Sequence, residues 1–425
     1  MRLFPENFKY KNIFQGSTVI WIIYFLLCVV SLVEVYSASS QLTYKSGEFM
    51  SPLIKQAGFL CVGFLLCSLI QNVPCRYFKL VGIFGIPISI ILLVAALAIG
   101  RVNDGARWIP LLFGFRFQPS ELAKGVVVTA VAFILASLQK PDGVDRRAVK
   151  YVMCVTLPIC ALIFTENLST AAILFLTVFL MMFIARVPWL QLFKVVGGLM
   201  LVGVFLILLA FALPSGNFLE DKILHRMDTW KGRITQVQED SVVIDSLTGK
   251  PFKIPQTKTA AGDVAMEGSD QRNYGYMAIA SSNVLGRGPG NSITRDYLQQ
   301  AYCDFIYAII LEEMGFFGGL GVAALYVFLL FQTGRIASRC ERNFPAFLAM
   351  GLVLLMAIQA CINMFVAVGL FPITGQTLPM ISRGGTATIV NSMYFGMILS
   401  ISRGARKNKL EEAGDMLRPG LQGPK

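Results

Sequence analysis

The sequence predicts an all-α integral membrane protein of about ten transmembrane helices, with one large exported loop between helices 7 and 8. Three observations predict it. Only 15% of the 425 residues are charged, where a soluble domain carries about 25%. Hydrophobic residues make up 55% and the mean hydropathy is +0.63. Apolar runs long enough to cross a bilayer, about 20 residues each, recur along nearly the whole chain.

In order, the predicted spans are 17–38, 52–71, 78–99, 121–138, 150–165, 168–185, 192–213, 305–332, 344–370 and 384–402. The fourth to sixth are short or closely spaced. The first is long for a signal peptide, and Ser37-Ala38-Ser39 resembles a cleavage site only weakly. Residues 1–403 thus form one polytopic membrane domain, with its exported loop at about 214–304. Inside that loop, 242–254 reads as a β-hairpin around Thr248-Gly249-Lys250, and 255–273 reads as irregular. Residues 404–425 form a basic, then Gly/Pro-rich cytoplasmic tail, expected to be disordered.

The net charge of +12 would suggest nucleic acid in a soluble protein. Here the positive-inside rule absorbs much of it. Basic residues crowd alternate loops: Arg76 and Lys79; Lys140, Arg146, Arg147 and Lys150; Arg186 and Lys194; Arg335, Arg339 and Arg342; and the tail from Arg403. The opposite short loops carry fewer. Both termini are therefore expected in the cytoplasm, and no nucleic-acid partner is expected. The nine cysteines form no CxxC pair, and His225 is the one histidine. A zinc site or a Cys/His nucleophile pair is not expected.

Ionisable residues at membrane depth are costly, so those present are functional candidates. Four clusters fall on the expected exported side. The first is Arg107-Trp108, then Gln118-Pro119-Ser120-Glu121-Leu122-Ala123-Lys124. Its second half reads as a helix start. Either it is a cap with an interfacial Trp and snorkelling cations, or Arg107 and Lys124 face a phosphate near a helix N-terminus. The second is Asp304, entering the eighth span. It reads as an N-cap or as a general base for a sugar hydroxyl. Glu312 lies roughly 12 Å further along that helix, too far for a retaining carboxylate pair at about 5 Å. Glu312 and Glu313 read better as buried partners for basic residues of another span. The third is Gln359, Asn363, Gly369, Pro372, Thr374, Gly375, Leu378 and Pro379 through Ser382-Arg383-Gly384-Gly385-Thr386. It reads as a tight re-entrant turn, or as a turn that adds Arg383 to an anion site. The fourth is Gly286-Arg287-Gly288-Pro289-Gly290 with Gln271 upstream. It follows no strand, so a dinucleotide reading fails; a loop over a substrate is the remaining functional reading.

Together these pieces resemble the SEDS family of cell-wall polymerases, which includes FtsW, RodA and SpoVE. The matching pieces run in order: Val35-Tyr36-Ser37-Ala38-Ser39, Arg107-Trp108, Gln118 through Lys124, Gly286-Arg287-Gly288, Asp304-Phe305-Ile306, Glu312-Glu313-Met314-Gly315, and Pro372-Ile373-Thr374-Gly375 through Leu378-Pro379 to Ser382-Arg383-Gly384-Gly385. Each is modest alone; their joint occurrence is specific.

The resemblance implies peptidoglycan glycosyltransfer from lipid II at the outer face of the cytoplasmic membrane of a bacterium, by an inverting enzyme. It implies Asp304 as the catalytic residue, with Asp296 eight positions earlier. Arg107, Gln118, Ser120, Glu121, Lys124, Ser382 and Arg383 become candidates for the substrate and its pyrophosphate, with Asp296, Gln271 and Glu312 in support. No cofactor is required by the sequence; a divalent cation, Mg2+ or Mn2+, is an optional companion of the pyrophosphate. The implied partners are lipid II, the undecaprenyl-linked glycan, a single-span class B penicillin-binding protein and other division proteins. Val19-Ile20-Trp21 and Val35 through Ser39 look more like the division branch than the elongation branch. The rival readings are a lipid II flippase and a non-catalytic scaffold for the transpeptidase.

Some positions depart from the family pattern. Leu298-Gln299-Gln300-Ala301-Tyr302-Cys303-Asp304 lacks the Glu and His usual before that Asp. Thr165-Glu166-Asn167-Leu168-Ser169 replaces Pro-Asp-Leu-Gly, and Arg383 stands where Tyr is common. The 234–267 insert is longer than the pattern expects and is a candidate for partner docking.

Overall fold

In the computed structural model, the described residues are 14–38, 50–100, 109–110, 116–141, 143–212, 240–244, 251–255, 266–282, 284–298 and 302–416. Among the described residues, ten helices overlap the ten apolar runs. They are α1 (Thr18–Ala38), α2 (Ser51–Ile70), α3 (Phe78–Gly100), α4 (Pro119–Ser137), α5 (Arg147–Glu166), α6 (Leu168–Ile184) and α7 (Trp189–Ala212), then α9 (Ile306–Ala337), α10 (Asn343–Ala367) and α11 (Thr386–Met416). Between α7 and α9 lies α8 (Met266–Ser281). Among the described residues, seven helices are long and apolar enough to cross a membrane: α1 to α5, α9 and α10. α6 is apolar but shorter.

The strands are short antiparallel pairs. β1 (Ile109–Pro110) pairs with β2 (Arg116–Phe117), and β3 (Gln139–Lys140) with β4 (Gly143–Val144). The hairpin expected at 242–254 is present: β5 (Asp240–Ile244) pairs with β6 (Pro251–Pro255), Asp240 opposite Pro255 and Ile244 opposite Pro251. Part of the 255–273 stretch, expected to be irregular, is helical, because α8 begins at Met266. The chain beyond 403 also differs from the disordered tail expected, since α11 runs on to Met416. The good helix formers Ala405, Lys407, Lys409, Leu410, Glu411, Glu412 and Ala413 account for it.

α4 is the most enclosed of the seven candidate spans. Its small and β-branched run Gly125 to Ala132 lets neighbours approach on every side. α3 and α10 pack against it, α9 packs on α10, and α11 on α2. Outward faces are apolar: Ile22, Phe84, Ile91, Val327 and Phe328 are all exposed. Such a surface is a liability in water and an ordinary lipid-facing one in a bilayer.

Two local devices shape the ends near the candidate residues. Asn167 caps α6, its side chain accepting from Ser169 N at 3.0 Å and Thr170 N at 3.4 Å. α9 is broken at Gly315, whose φ 69 and ψ −171 suit glycine alone.

Candidate active site

α4 opens as its sequence predicts. Gln118 is extended at the N-cap, Pro119 takes the first helical position and Glu121 lies in the first turn. Gln118 Nε2 donates to Ser120 Oγ at 3.1 Å. Lys124 follows one turn after Glu121 and is 0% exposed; Glu121 is 4% exposed. Lys124 Nζ lies 2.9 Å from Glu121 Oε1 and 2.8 Å from Gln359 Oε1. Gln359 in turn donates to Thr377 O at 3.0 Å. Lys124 thus sits inside the bundle, its charge balanced by Glu121.

Asp304 is half-buried just ahead of α9. The N-cap position falls on Phe305, one residue after Asp304. Beside it, burial and the Asp304 charge push the Cys303 thiol up to about 12, against the opposing pull of Arg383. Burial likewise raises Tyr302, and Arg383 again opposes.

The turn 372–385 meets this segment. The Arg383 guanidinium lies 5.2 Å from the Tyr302 ring centroid, a cation–π contact. Arg383 N donates to Tyr302 O at 3.0 Å, and Ser382 Oγ to Cys303 O at 2.6 Å. Ser382 Oγ also accepts from Leu378 N at 2.8 Å. Ser382 is 2% exposed and its hydroxyl is engaged with backbone on both sides. Asn363 Nδ2 reaches Asp304 O at 3.0 Å and Gln376 O at 2.7 Å. Gln376 continues to Thr170 Oγ1 at 2.8 Å.

Glu312 and Glu313 are fully buried. Their main partners are groups of the 286–296 loop rather than basic residues of another span. Ser292 Oγ donates to Glu312 Oε2 at 2.6 Å and Ile293 N to Glu312 Oε1 at 3.1 Å. Thr294 Oγ1 also donates to Glu312. Gly290 N donates to Glu313 Oε2 at 2.9 Å and Ser292 N to Glu313 Oε1 at 3.3 Å. Ser37 Oγ donates to Glu313 as well. The break at Gly315 accompanies two further bonds, from Arg287 N to Glu312 O at 3.0 Å and from Gly288 N to Glu313 O at 2.8 Å. The glycine-rich loop read as a cover over substrate is therefore pinned to α9. Arg287 stays exposed on it. Asp296 is half-exposed, 3.9 Å from the neighbouring Arg295.

Arg107 and Trp108 lie outside the described residues, as does His225. Gln271 lies on α8, and its side chain is likewise outside them. Among the described residues, no group of three or more His, Cys, Asp or Glu is placed to hold a metal ion. Sequence reasoning missed Glu34, Arg295 and Ser292. Glu34 was findable as the one charge in the apolar run Thr18–Ala38. Arg295 and Ser292 carry no local signal; only the fold brings them to Ser37 and to the two glutamates.

The family model FTSW_RODA_SPOVE, described as "Cell cycle protein", matches residues 17–269 and 271–407. A probable peptidoglycan glycosyltransferase FtsW of Aliivibrio salmonicida is 28% identical over 399 residues, 91% of this chain and 89% of that one. The peptidoglycan glycosyltransferase MrdB of Escherichia coli K12 is 28% identical over 378 residues, 88% of this chain and 90% of that one. Among solved structures, a chain of a peptidoglycan synthase complex that coordinates polymerization and crosslinking aligns with TM-score 0.64 at 22% identity, covering 92% of this chain and 98% of that one. The Thermus thermophilus rod shape determining protein RodA aligns with TM-score 0.59 at 22% identity, covering 91% and 97%. At that identity the two structures carry the fold. With the family motifs in order along the chain and the family model spanning nearly all of it, the chain belongs to the FtsW/RodA/SpoVE family of cell cycle proteins.

Proposed function

We propose that this protein polymerises lipid II into glycan strands at the outer face of the cytoplasmic membrane, with Asp304 as the general base. The observation that carries the assignment of the base is the setting of Asp304. It stands half-buried at the mouth of α9, one residue ahead of the N-cap position and adjoined by the Arg383–Tyr302 pair. The family membership and the names of the relatives support the reaction.

In this reading Asp304 takes the proton from the C4 hydroxyl of the acceptor sugar as that oxygen attacks C1 of the donor. The C1–O bond to the undecaprenyl pyrophosphate breaks and the anomeric centre inverts. The leaving pyrophosphate develops negative charge, which cations at the site stabilise. Arg383 and Arg107 are the candidates; Lys124, balanced by Glu121, organises the interior instead.

The buried polar network favours polymerisation over flipping. Lys124 is only five residues into α4, roughly 8 Å at about 1.5 Å per residue, and Gln359, Asn363, Gln376, Thr170 and Asp304 gather at that same end. A flippase needs a polar path at mid-membrane. The remaining readings are that the protein works with a single-span class B penicillin-binding protein, serves the division branch, and keeps both termini in the cytoplasm. The purified protein with its partner should polymerise lipid II, and Asp304→Asn should abolish this while folding and lipid II binding persist. Polymerisation by the variant would overturn the assignment of the base.

A further inference from the structure

The peptide groups just ahead of α9 cannot be satisfied by the helix itself. The first carbonyl with helical partners is Phe305 O, which accepts from Ala308 N and Ile309 N. Tyr302, Cys303 and Asp304 precede it in a half-buried segment, where an unpaired carbonyl is costly. Each of these three successive carbonyls receives a donor from a distant part of the chain. Tyr302 O takes Arg383 N, Cys303 O takes Ser382 Oγ, and Asp304 O takes Asn363 Nδ2.

The donors are themselves held. Asn363 gives its second N–H to Gln376 O, and Ser382 Oγ is fixed by Leu378 N. The Tyr326 hydroxyl donates to Pro379 O. Between them Met380 sits at φ 68, 1% exposed. A non-glycine residue keeps that strained conformation only where its surroundings over-determine it. Asn363 Oδ1, meanwhile, is buried without a hydrogen-bond partner among the described residues, which costs stability. A residue kept only for stability would be poorly chosen here.

We propose that Asn363 is a positioning residue for Asp304. Its side-chain amide ties the Asp304 peptide carbonyl to the 376–383 turn, and so fixes the ψ angle at which Asp304 enters α9 and the direction its carboxylate takes toward the acceptor hydroxyl. This inference rests on the reading of Asp304 as the base.

The test uses the full chain with its transpeptidase partner, and lipid II as the probe. Relative to wild type, Asn363→Ala should lower kcat by about tenfold to a hundredfold, the scale of a small misplacement of a reacting group. KM for lipid II should stay within about twofold, and Asn363→Gln, which keeps an amide donor, should recover part of the lost kcat. Asn363→Asp, of the same size but with fewer donors, replaces the alanine variant should that one not fold. An unchanged kcat, or a raised KM at unchanged kcat, overturns the proposal, and so does failure of both variants to fold. Wild-type protein inactive on lipid II would instead sink the polymerase reading, and an active Asp304→Asn would sink the base.

Discussion

Lys124 reaches Glu121 across one turn of α4, Nζ to Oε1 2.9 Å, with the lysine side chain fully enclosed and the glutamate nearly so. An enclosed ion pair is weak evidence of net stabilisation, yet losing one member strands the other charge. Lys124→Met and Glu121→Gln should each destabilise the protein by about 3–5 kcal/mol, and the double variant should recover much of that loss. Thermal unfolding in detergent reads the difference; additive losses in the double variant would show that the two side chains are not coupled.

Gly315 and Gly286 cross backbone to backbone. A Cβ on Gly315 would overlap Gly286 N and the Leu285 and Val284 backbone, whereas a Cβ on Gly321 of the same helix meets nothing within 4 Å. Gly315→Ala should therefore sharply reduce the yield of monodisperse protein, and Gly321→Ala should not. Equal yields would mean that the crossing tolerates a side chain.

The Glu312 and Glu313 carboxylates accept from Gly290 N, Ser292 N and Ile293 N. Hydrogen exchange should show these amides protected, and Glu312→Ala or Glu313→Ala should release them. By contrast, neither carboxyl oxygen of Glu34 has a hydrogen-bond partner among the described residues, although the residue is fully buried. Burying a polar group without a partner costs stability. Glu34→Gln should therefore leave the unfolding temperature unchanged or raised, and a marked fall would reveal a partner for that carboxyl.

Cys303 holds its proton up to about 12, where an ordinary thiol ionises near about 8.5. Only the thiolate reacts readily. Maleimide labelling of Cys303 in the native protein should stay low between pH 7 and pH 9, and rise with pH once the protein is denatured. The folded state binds this proton more tightly than the unfolded chain, so the contribution to stability is complete below about 8.5 and is lost as pH climbs toward about 12. Ready native labelling at pH 8 would contradict the burial.

Some of this was legible in the residues themselves. Apolar runs and sparse charge announced the helices, Pro119 and Glu121 announced the start of α4, and the β-prone runs flanking Thr248-Gly249-Lys250 announced the β5–β6 hairpin. These are local signals, set by periodicity and by which residues suit a helix start or a turn. Motif order also singled out Asp304, Lys124, Ser382 and Arg383. Their roles were less legible. Lys124, read as a snorkelling cation or as a cation for phosphate, pairs with Glu121 in the interior; Ser382, read as a phosphate contact, donates to Cys303 O; Glu312, read as a buried partner for basic side chains, accepts from the loop at Ser292 and Ile293.

The sequence by itself determined that this chain lives in a bilayer, where its helices begin, and which polar residues were worth their cost there. Only the tertiary structure decided which of them meet. Lys124 and Gln359 are 235 residues apart in the chain and 2.8 Å apart in space. Side chains buried in an apolar interior must find hydrogen-bond partners wherever the packed helices supply them. That choice depends on the rotation and depth of each helix against its neighbours, which no local pattern encodes.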